Sequence, residues 1–124
     1  MRLGIIGCGA ITKGQHLPAA LSNGHIEIAV LVDRHLPNAQ QLADEYELSA
    51  IVAADHKEII DQMDSAIVAV PPQMHASIVL DLLKHGIHVL VEKPMAVAAH
   101  DCSQMIQAAK AAPGGGVVLA VGHV

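Results

Sequence analysis

The sequence has 124 residues, of which 52% are hydrophobic and only 15% charged, and its formal net charge is −5. This composition fits a single globular domain and argues against a disordered chain. The seven basic residues are scattered, which argues against a nucleic-acid or membrane-surface partner, and no apolar run approaches the ~20 residues of a membrane-spanning helix.

Short apolar runs predict six strands, at residues 3–6, 28–32, 51–54, 66–70, 87–91 and 117–121. These runs lack polar alternation, which is typical of parallel strands covered on both faces. Apolar residues at helical spacing predict helices around residues 17–21, 39–46, 56–63, 78–83 and 102–109. The alternation predicts an α/β fold, a doubly wound parallel sheet of strand order 3-2-1-4-5-6.

The segment from Gly7 to Thr12 follows the first strand and matches G-x-G-x-x-G in its first two glycines. Gly7 permits a tight turn, and Gly9 lets the backbone approach a pyrophosphate without a Cβ in the way. Amides of Ala10, Ile11 and Thr12 open the next helix, where they can hold phosphate oxygens. Thr12 replaces the third glycine, and we expect its hydroxyl to reach a phosphate. The alternative is a tight strand–helix turn without a ligand.

Asp33 ends the second predicted strand, where an acid can accept hydrogen bonds from the ribose of a dinucleotide. Alternatively, it is a surface residue or a cap of the helix around Pro37. As a ribose ligand it would repel a 2′-phosphate, which favours NAD over NADP. Arg34 keeps NADP open, because its guanidinium can pair with that phosphate or stack on adenine.

The fourth predicted strand runs into Pro71 and Pro72, which end it and shape a loop at the carboxyl edge of the sheet. This loop is expected beside the nicotinamide ribose, so Pro71 is a candidate cofactor contact. His75 follows and is either the first polar residue of a helix or a contact in the site.

The fifth predicted strand runs directly into Glu92-Lys93-Pro94. In an open parallel sheet, ligands bind at this end of the strands. An ammonium there can stabilise an alkoxide as hydride leaves, which makes Lys93 a candidate catalytic residue. The alternative is an exposed salt bridge at the end of a strand.

These motifs occur in the same order in the Gfo/Idh/MocA family of oxidoreductases, which the chain resembles over its whole length. They are Gly7-Cys8-Gly9-Ala10, Asp33, Val70-Pro71-Pro72 with His75 after it, and Glu92-Lys93-Pro94. The resemblance implies an NAD(P)-dependent dehydrogenase that moves hydride between the nicotinamide and a sugar, polyol or related hydroxyl or carbonyl compound.

The resemblance also implies residue roles. Lys93 would assist proton transfer, Glu92 would position Lys93 and touch the cofactor, and Pro94 would shape the turn through a cis Lys-Pro bond. The complete set of predicted cofactor contacts is Gly7, Gly9, Ala10, Ile11, Thr12, Asp33, Arg34, Pro71, His75, Glu92 and Lys93.

Family members continue into a second domain that carries most substrate contacts. We therefore expect residues 1–124 to be the dinucleotide-binding domain, with the substrate domain absent and the chain alone inactive. The segment 121–124 resembles the strand leading into that domain. The rival hypothesis is a nonenzymatic NAD(P)-binding module with a regulatory or interaction role.

The remaining expectations concern location and partners. The start at Met1 lacks the regions of a secretory signal, so we expect a cytoplasmic protein. Cys8 and Cys102 are too far apart for a disulfide framework, and the nine histidines form no dense cluster, so no metal site is predicted. A small-molecule substrate is the expected partner, and a homo-oligomer remains open.

Overall fold

The computed structural model describes residues 1–122, so the end of the predicted segment 121–124 lies outside the described residues. The strands in this range are β1 (Arg2–Ile6), β2 (Glu27–Val32), β3 (Ile51–Ala53), β4 (Ser65–Val68), β5 (His88–Glu92) and β6 (Leu119–Gly122). Each coincides with a predicted apolar run, with ends that differ by at most two residues.

The α-helices of the described residues are α1 (Leu17–Leu21), α2 (Leu36–Glu45), α3 (His75–Lys84) and α4 (Ala99–Ala111). A π-helical turn, Thr12–His16, precedes α1, and a 3₁₀ turn, Pro72–Met74, precedes α3. The longest helix, α4, has 13 residues. None of the helices in residues 1–122 has the length and apolar character to span a membrane.

The strands form one sheet in the order β3-β2-β1-β4-β5-β6, with every pairing parallel, which confirms the predicted topology. All strands therefore end at the same edge. The chain leaves β1 at the point where the strand order reverses, with β2 on one side and β4 on the other. This is the crevice in which open α/β sheets bind ligands.

Two apolar layers cover the sheet because successive side chains of a strand point to opposite faces. Leu3 and Ile5 of β1 pack with the first two helices in one layer, whereas Ile6 belongs to the other. That second layer contains α3 and α4, and its fully buried side chains include Leu82, Leu83 and Met105. The two layers cover both faces of the sheet and thereby fix the position of its carboxyl edge.

One predicted helix is wrong in type. Residues His56–Gln62 form 3₁₀ turns that are interrupted at Ile59, whose φ of −132° is not helical. The side chain of Asp55 accepts a hydrogen bond from the Lys57 amide, and the Glu58 amide bonds to the Asp55 carbonyl three residues before it. The two short turns still bury Ile59 and Met63, which explains why the apolar spacing resembled a helix.

Candidate functional site

The glycine turn (residues 7–12) begins in a backbone conformation that only glycine adopts easily. Gly7 has φ +102°, and a Cβ at this position would overlap the carbonyl oxygen of Ala69 where the chain leaves β4. Gly9 has no atom within 4 Å of the place where its Cβ would lie. The protein itself therefore requires Gly7, whereas the space beside Gly9 is open on the side of the cleft.

The start of the helical segment supplies backbone donors to this space. The Lys13 amide donates to the Gly9 carbonyl at 3.0 Å, so the amides of residues 10–12 come before the first intrahelical bond. Ala10 is exposed and Ile11 is half-buried. Such unpaired amides can bind phosphate oxygens.

The Thr12 hydroxyl, which we expected to reach a phosphate, bonds within the glycine turn. The Thr12 side chain is fully buried, and its Oγ1 donates to the Gly7 carbonyl at 2.5 Å. The hydroxyl therefore ties the first helical turn back to the glycine turn, in place of the close packing that a third glycine permits.

Asp33 joins the glycine turn to the end of β2. Its Oδ2 accepts a hydrogen bond from the Cys8 amide at 2.9 Å, and its Oδ1 accepts one from the His35 amide at 2.8 Å. The second bond lies before the helix and does not cap it, because the N-cap residue is His35 and the helix has no side-chain cap. Because both oxygens are held by backbone amides, the carboxylate has a fixed orientation at the cleft.

Burial raises the pKa of the neighbouring Cys8 thiol to about 12, and the carboxylate of Asp33 adds to this rise. The Sγ atom also lies 3.5 Å from the Val32 carbonyl oxygen. The thiol is therefore protonated at neutral pH and is not a nucleophile. Since its folded-state pKa exceeds the ordinary value of 9.0, the stability that the buried thiol contributes is lost as the pH rises from about 9 towards 12.

We expect Cys8 to resist alkylation in the folded chain. At pH 8, a pKa of about 12 leaves roughly a thousandfold less thiolate than an ordinary thiol has. Iodoacetamide labelling followed by peptide mass spectrometry measures the rate, with the urea-unfolded chain as the control, in which Cys8 should react at an ordinary rate. Equal rates in the folded and unfolded chains would contradict the assignment of a buried, protonated thiol.

A cleft of about 1050 Å³ opens at the carboxyl edge beside these groups. The predicted site residues that line it are Gly7, Gly9, Asp33, Arg34 and Pro71. The Arg34 Nη1 atom lies 3.6 Å from the Met74 sulfur, so the guanidinium reaches the loop that follows β4. The volume suits a nucleotide-sized ligand.

The far wall of the cleft carries charged groups that the sequence analysis missed. His56 lies between two carboxylates, with its Nε2 3.0 Å from Asp81 and its Nδ1 3.5 Å from Asp55. Lys57 lines the same wall. Asp55 to Lys57 directly follow β3, so the rule that ligands bind at strand ends could have found them. Asp81 lies on α3, and no local pattern indicated its place.

Glu92 and Lys93 lie outside the lining of this cleft, at the end of β5. The Glu92 side chain is buried; its Oε1 lies 2.5 Å from the His16 Nε2, and its Oε2 accepts a bond from the Lys93 amide at 3.3 Å. The Lys93 side chain is exposed, and the Lys93–Pro94 bond is cis, as the resemblance implied. His16 had no sequence signal beyond its position on the segment after the glycine turn.

Of the two interpretations of His75, the structure favours the helix start, and His75 is not among the residues that line the cleft. The ring is fully buried at the first residue of α3. Its Nε2 lies 2.8 Å from the Val70 carbonyl oxygen, and its Nδ1 lies 2.9 Å from that of Pro94 and 3.2 Å from that of Met95. The imidazole therefore occupies the space between two loops, with no edge facing the cleft.

Residues 1–122 contain no group of three or more His, Cys, Asp or Glu side chains arranged to hold a metal ion. The polar side chains at the carboxyl edge instead contact one another, His16 with Glu92 and His56 with Asp55 and Asp81. What this edge offers chemically is open backbone amides, a fixed carboxylate and an exposed ammonium.

Comparison with known proteins gives several matches of similar extent. An inositol 2-dehydrogenase of Burkholderia cenocepacia is 31% identical over 112 residues, 87% of this chain and 33% of the relative. A dTDP-3,4-didehydro-2,6-dideoxy-alpha-D-glucose 3-reductase of Saccharopolyspora spinosa is 27% identical over 89% of this chain and 33% of its own length. The chain thus spans about a third of the length of these curated relatives.

Among solved structures, a 3-ketoreductase from Actinomadura kijaniata in complex with NADP and TDP-benzene superposes with a TM-score of 0.81. The identity is 25%, and the match covers 90% of this chain and 34% of the other. The family model described as an oxidoreductase family with an NAD-binding Rossmann fold matches residues 1–123. With nearly every residue matched, the chain belongs to the Gfo/Idh/MocA family of oxidoreductases.

Proposed function

We propose that the cleft binds NAD or NADP and that the chain is the dinucleotide-binding part of an oxidoreductase acting on a sugar, polyol or related hydroxyl or carbonyl compound. One observation carries the proposal: the Cys8 amide is bonded to the Asp33 carboxylate at 2.9 Å. The phosphate-binding turn and the ribose-binding acid therefore form one unit at the switch point of the sheet.

The residues present fit such a cofactor. The open space beside Gly9 and the unpaired amides of residues 10–12 suit a pyrophosphate, which no side chain of the turn obstructs. Asp33 is half-buried and retains lone pairs for ribose hydroxyls. The bound cofactor supplies the hydride chemistry, and the chain binds and orients it.

NAD is the proposed preference. Because two backbone amides fix the Asp33 carboxylate, it cannot rotate away from a 2′-phosphate, and the two charges would repel each other. Arg34 lies next to it and is exposed, which gives NADP a partner. The ketoreductase from Actinomadura kijaniata contains NADP, so both cofactors belong in the test.

Lys93 is the proposed catalytic residue. Its exposed ammonium follows β5 at the carboxyl edge, where it can give or take the proton of a substrate oxygen while hydride moves. The names of two relatives, an inositol dehydrogenase and a reductase of a dTDP-linked sugar, support a polyol or sugar as the substrate class.

The remaining proposals are broader. We place residues 1–124 in one dinucleotide-binding domain and the substrate contacts outside it, because the relatives are about three times as long. A small-molecule substrate is the proposed partner, without nucleic acid or membrane, and self-association into a homo-oligomer remains a prediction. A cytoplasmic location is supported by the two free cysteines.

Calorimetric titration of the chain with NADH and NADPH tests the proposed function. We expect NADH to bind about fivefold more tightly, since one unfavourable charge contact is worth about 1 kcal/mol. Asp33→Asn should reduce this preference, and Arg34→Ala should weaken NADPH more than NADH. Asp61→Asn is the matched control, because Asp61 is exposed and lies outside the lining of the cleft.

The possible results separate the two parts of the proposal. Equal or reversed affinities would overturn the preference for NAD. Absence of binding by either dinucleotide would overturn the cofactor site itself.

A further inference from the structure

The backbone around Lys93 makes hydrogen bonds before and after this residue, whereas the Lys93 side chain has no bonding partner among residues 1–122. Its amide donates to the Glu92 carboxylate, whereas its ammonium is exposed and makes no hydrogen bond or ion pair in that range. The position of the ammonium therefore depends on where the backbone of the E-K-P turn (residues 92–95) is placed.

His16 holds the turn from the side of the glycine turn. The His16–Glu92 contact of 2.5 Å joins side chains that are only 13% and 11% exposed. The segment that carries His16 is itself tied to the glycine turn through the Thr12 hydroxyl and the Gly7 carbonyl. A short series of hydrogen bonds thus connects the phosphate-binding backbone to the residue before Lys93.

His75 holds the turn from the loop that follows β4. One ring nitrogen faces the carbonyl oxygens of Pro94 and Met95, and the other faces that of Val70 at the loop after β4. A carbonyl oxygen only accepts, so a ring nitrogen bonds to it only when that nitrogen carries the proton, and a neutral imidazole donates from one nitrogen at a time. The ring is fully buried, and no water competes for these bonds.

We propose that His16 and His75 are positioning residues that together fix Lys93 relative to the glycine turn. The inference rests on the proposed function, in which Lys93 acts beside a dinucleotide held by that turn. A displacement of about 1 Å in such a site can cost on the order of 100-fold in rate, which gives the two contacts a functional consequence.

The first test measures the turn itself, without a cofactor. In His16→Leu the contact with Glu92 is lost, whereas His16→Gln retains a distal N–H. His75→Gln retains an N–H towards Val70 but loses the bonds to Pro94 and Met95. His100→Gln is the control, because His100 is exposed on α4.

Hydrogen exchange followed by mass spectrometry should show the Lys93 amide, which donates to Glu92, exchanging about tenfold faster in His16→Leu and His75→Gln, with β1 unchanged. His16→Gln and His100→Gln should exchange like the original chain. An unchanged turn, or the same acceleration in β1, would overturn the proposal, because the histidines would then have no role or only a role in global stability.

The second test asks whether the effect acts through Lys93. NADH and ADP-ribose share the adenosine and pyrophosphate, but only NADH carries the nicotinamide. We expect His16→Leu and His75→Gln to leave the affinity for ADP-ribose within about twofold and to reduce the fluorescence enhancement of bound NADH severalfold. Lys93→Ala should show the same reduction, and adding His16→Leu to it should change nothing further.

A parallel loss of NADH and ADP-ribose affinity would overturn the positioning role, as would a His16→Leu effect that persists in full in the Lys93→Ala background. If the original chain binds neither ligand, the proposed function fails, and hydrogen exchange alone decides whether the two histidines hold the turn.

Discussion

Replacement of Gly7 by alanine is expected to lower the free energy of unfolding by about 3 kcal/mol, from a left-handed backbone that costs about 1–2 kcal/mol and overpacking that costs about 1–3 kcal/mol. Both terms follow from the geometry: φ is +102°, and the added Cβ would meet the Ala69 carbonyl. Neither backbone can yield cheaply, because each is the exit of a central strand. Urea unfolding followed by far-ultraviolet circular dichroism measures the loss.

Gly9→Ala is the matched control within the same turn. No atom lies within 4 Å of the added Cβ, so stability should change by less than about 0.5 kcal/mol. Dinucleotide affinity should nevertheless fall, because the methyl group occupies the space we assign to the pyrophosphate. Equal stability losses in the two variants would contradict the separate roles assigned to the two glycines.

The second large effect concerns turnover: the 124-residue polypeptide should bind the dinucleotide yet show negligible dehydrogenase activity. Lys93 can assist a proton transfer only if a substrate is held at reacting distance, and positioning of this kind is worth about 10⁵-fold or more in rate. The named relatives are about three times as long, so most of that positioning is expected outside these residues.

A screen of polyols and sugars with NAD, followed at the absorbance of the reduced nicotinamide, measures this activity. Lys93→Ala is the comparison variant, and cofactor binding by both proteins is the control. Robust turnover that disappears in Lys93→Ala would contradict the expected incompleteness while supporting the site. Turnover that persists in Lys93→Ala would contradict the catalytic role. If neither protein turns over a substrate and both bind the cofactor, the result agrees with our expectation. A nonenzymatic NAD(P)-binding module would give the same result.

Much of the fold was determined by the sequence alone. The apolar runs located six strands within one or two residues of their observed ends. The alternation of strands and helices, interpreted as a doubly wound fold with right-handed crossovers, then predicted the observed order, β3-β2-β1-β4-β5-β6. The positions of Gly7 and Asp33 at the carboxyl edge were also predicted from the sequence. Each residue directly follows a predicted strand, and the ends of parallel strands share one edge of the sheet.

The tertiary structure decided which side chains meet. His16 and Glu92 are 76 positions apart, and His75 is 19 positions from Pro94, so no local spacing pairs them. The Thr12 hydroxyl is buried, and a buried hydroxyl needs an acceptor, which the Gly7 carbonyl provides.

The predicted helix at residues 56–63 failed for a similar reason. Its apolar spacing described which residues are buried, whereas the Asp55 cap and the bend at Ile59 determined the backbone. Periodicity and strand ends are properties of short segments and can be read from the sequence. Side-chain partners across the carboxyl edge depend on how distant segments pack, which is known only once the chain has folded.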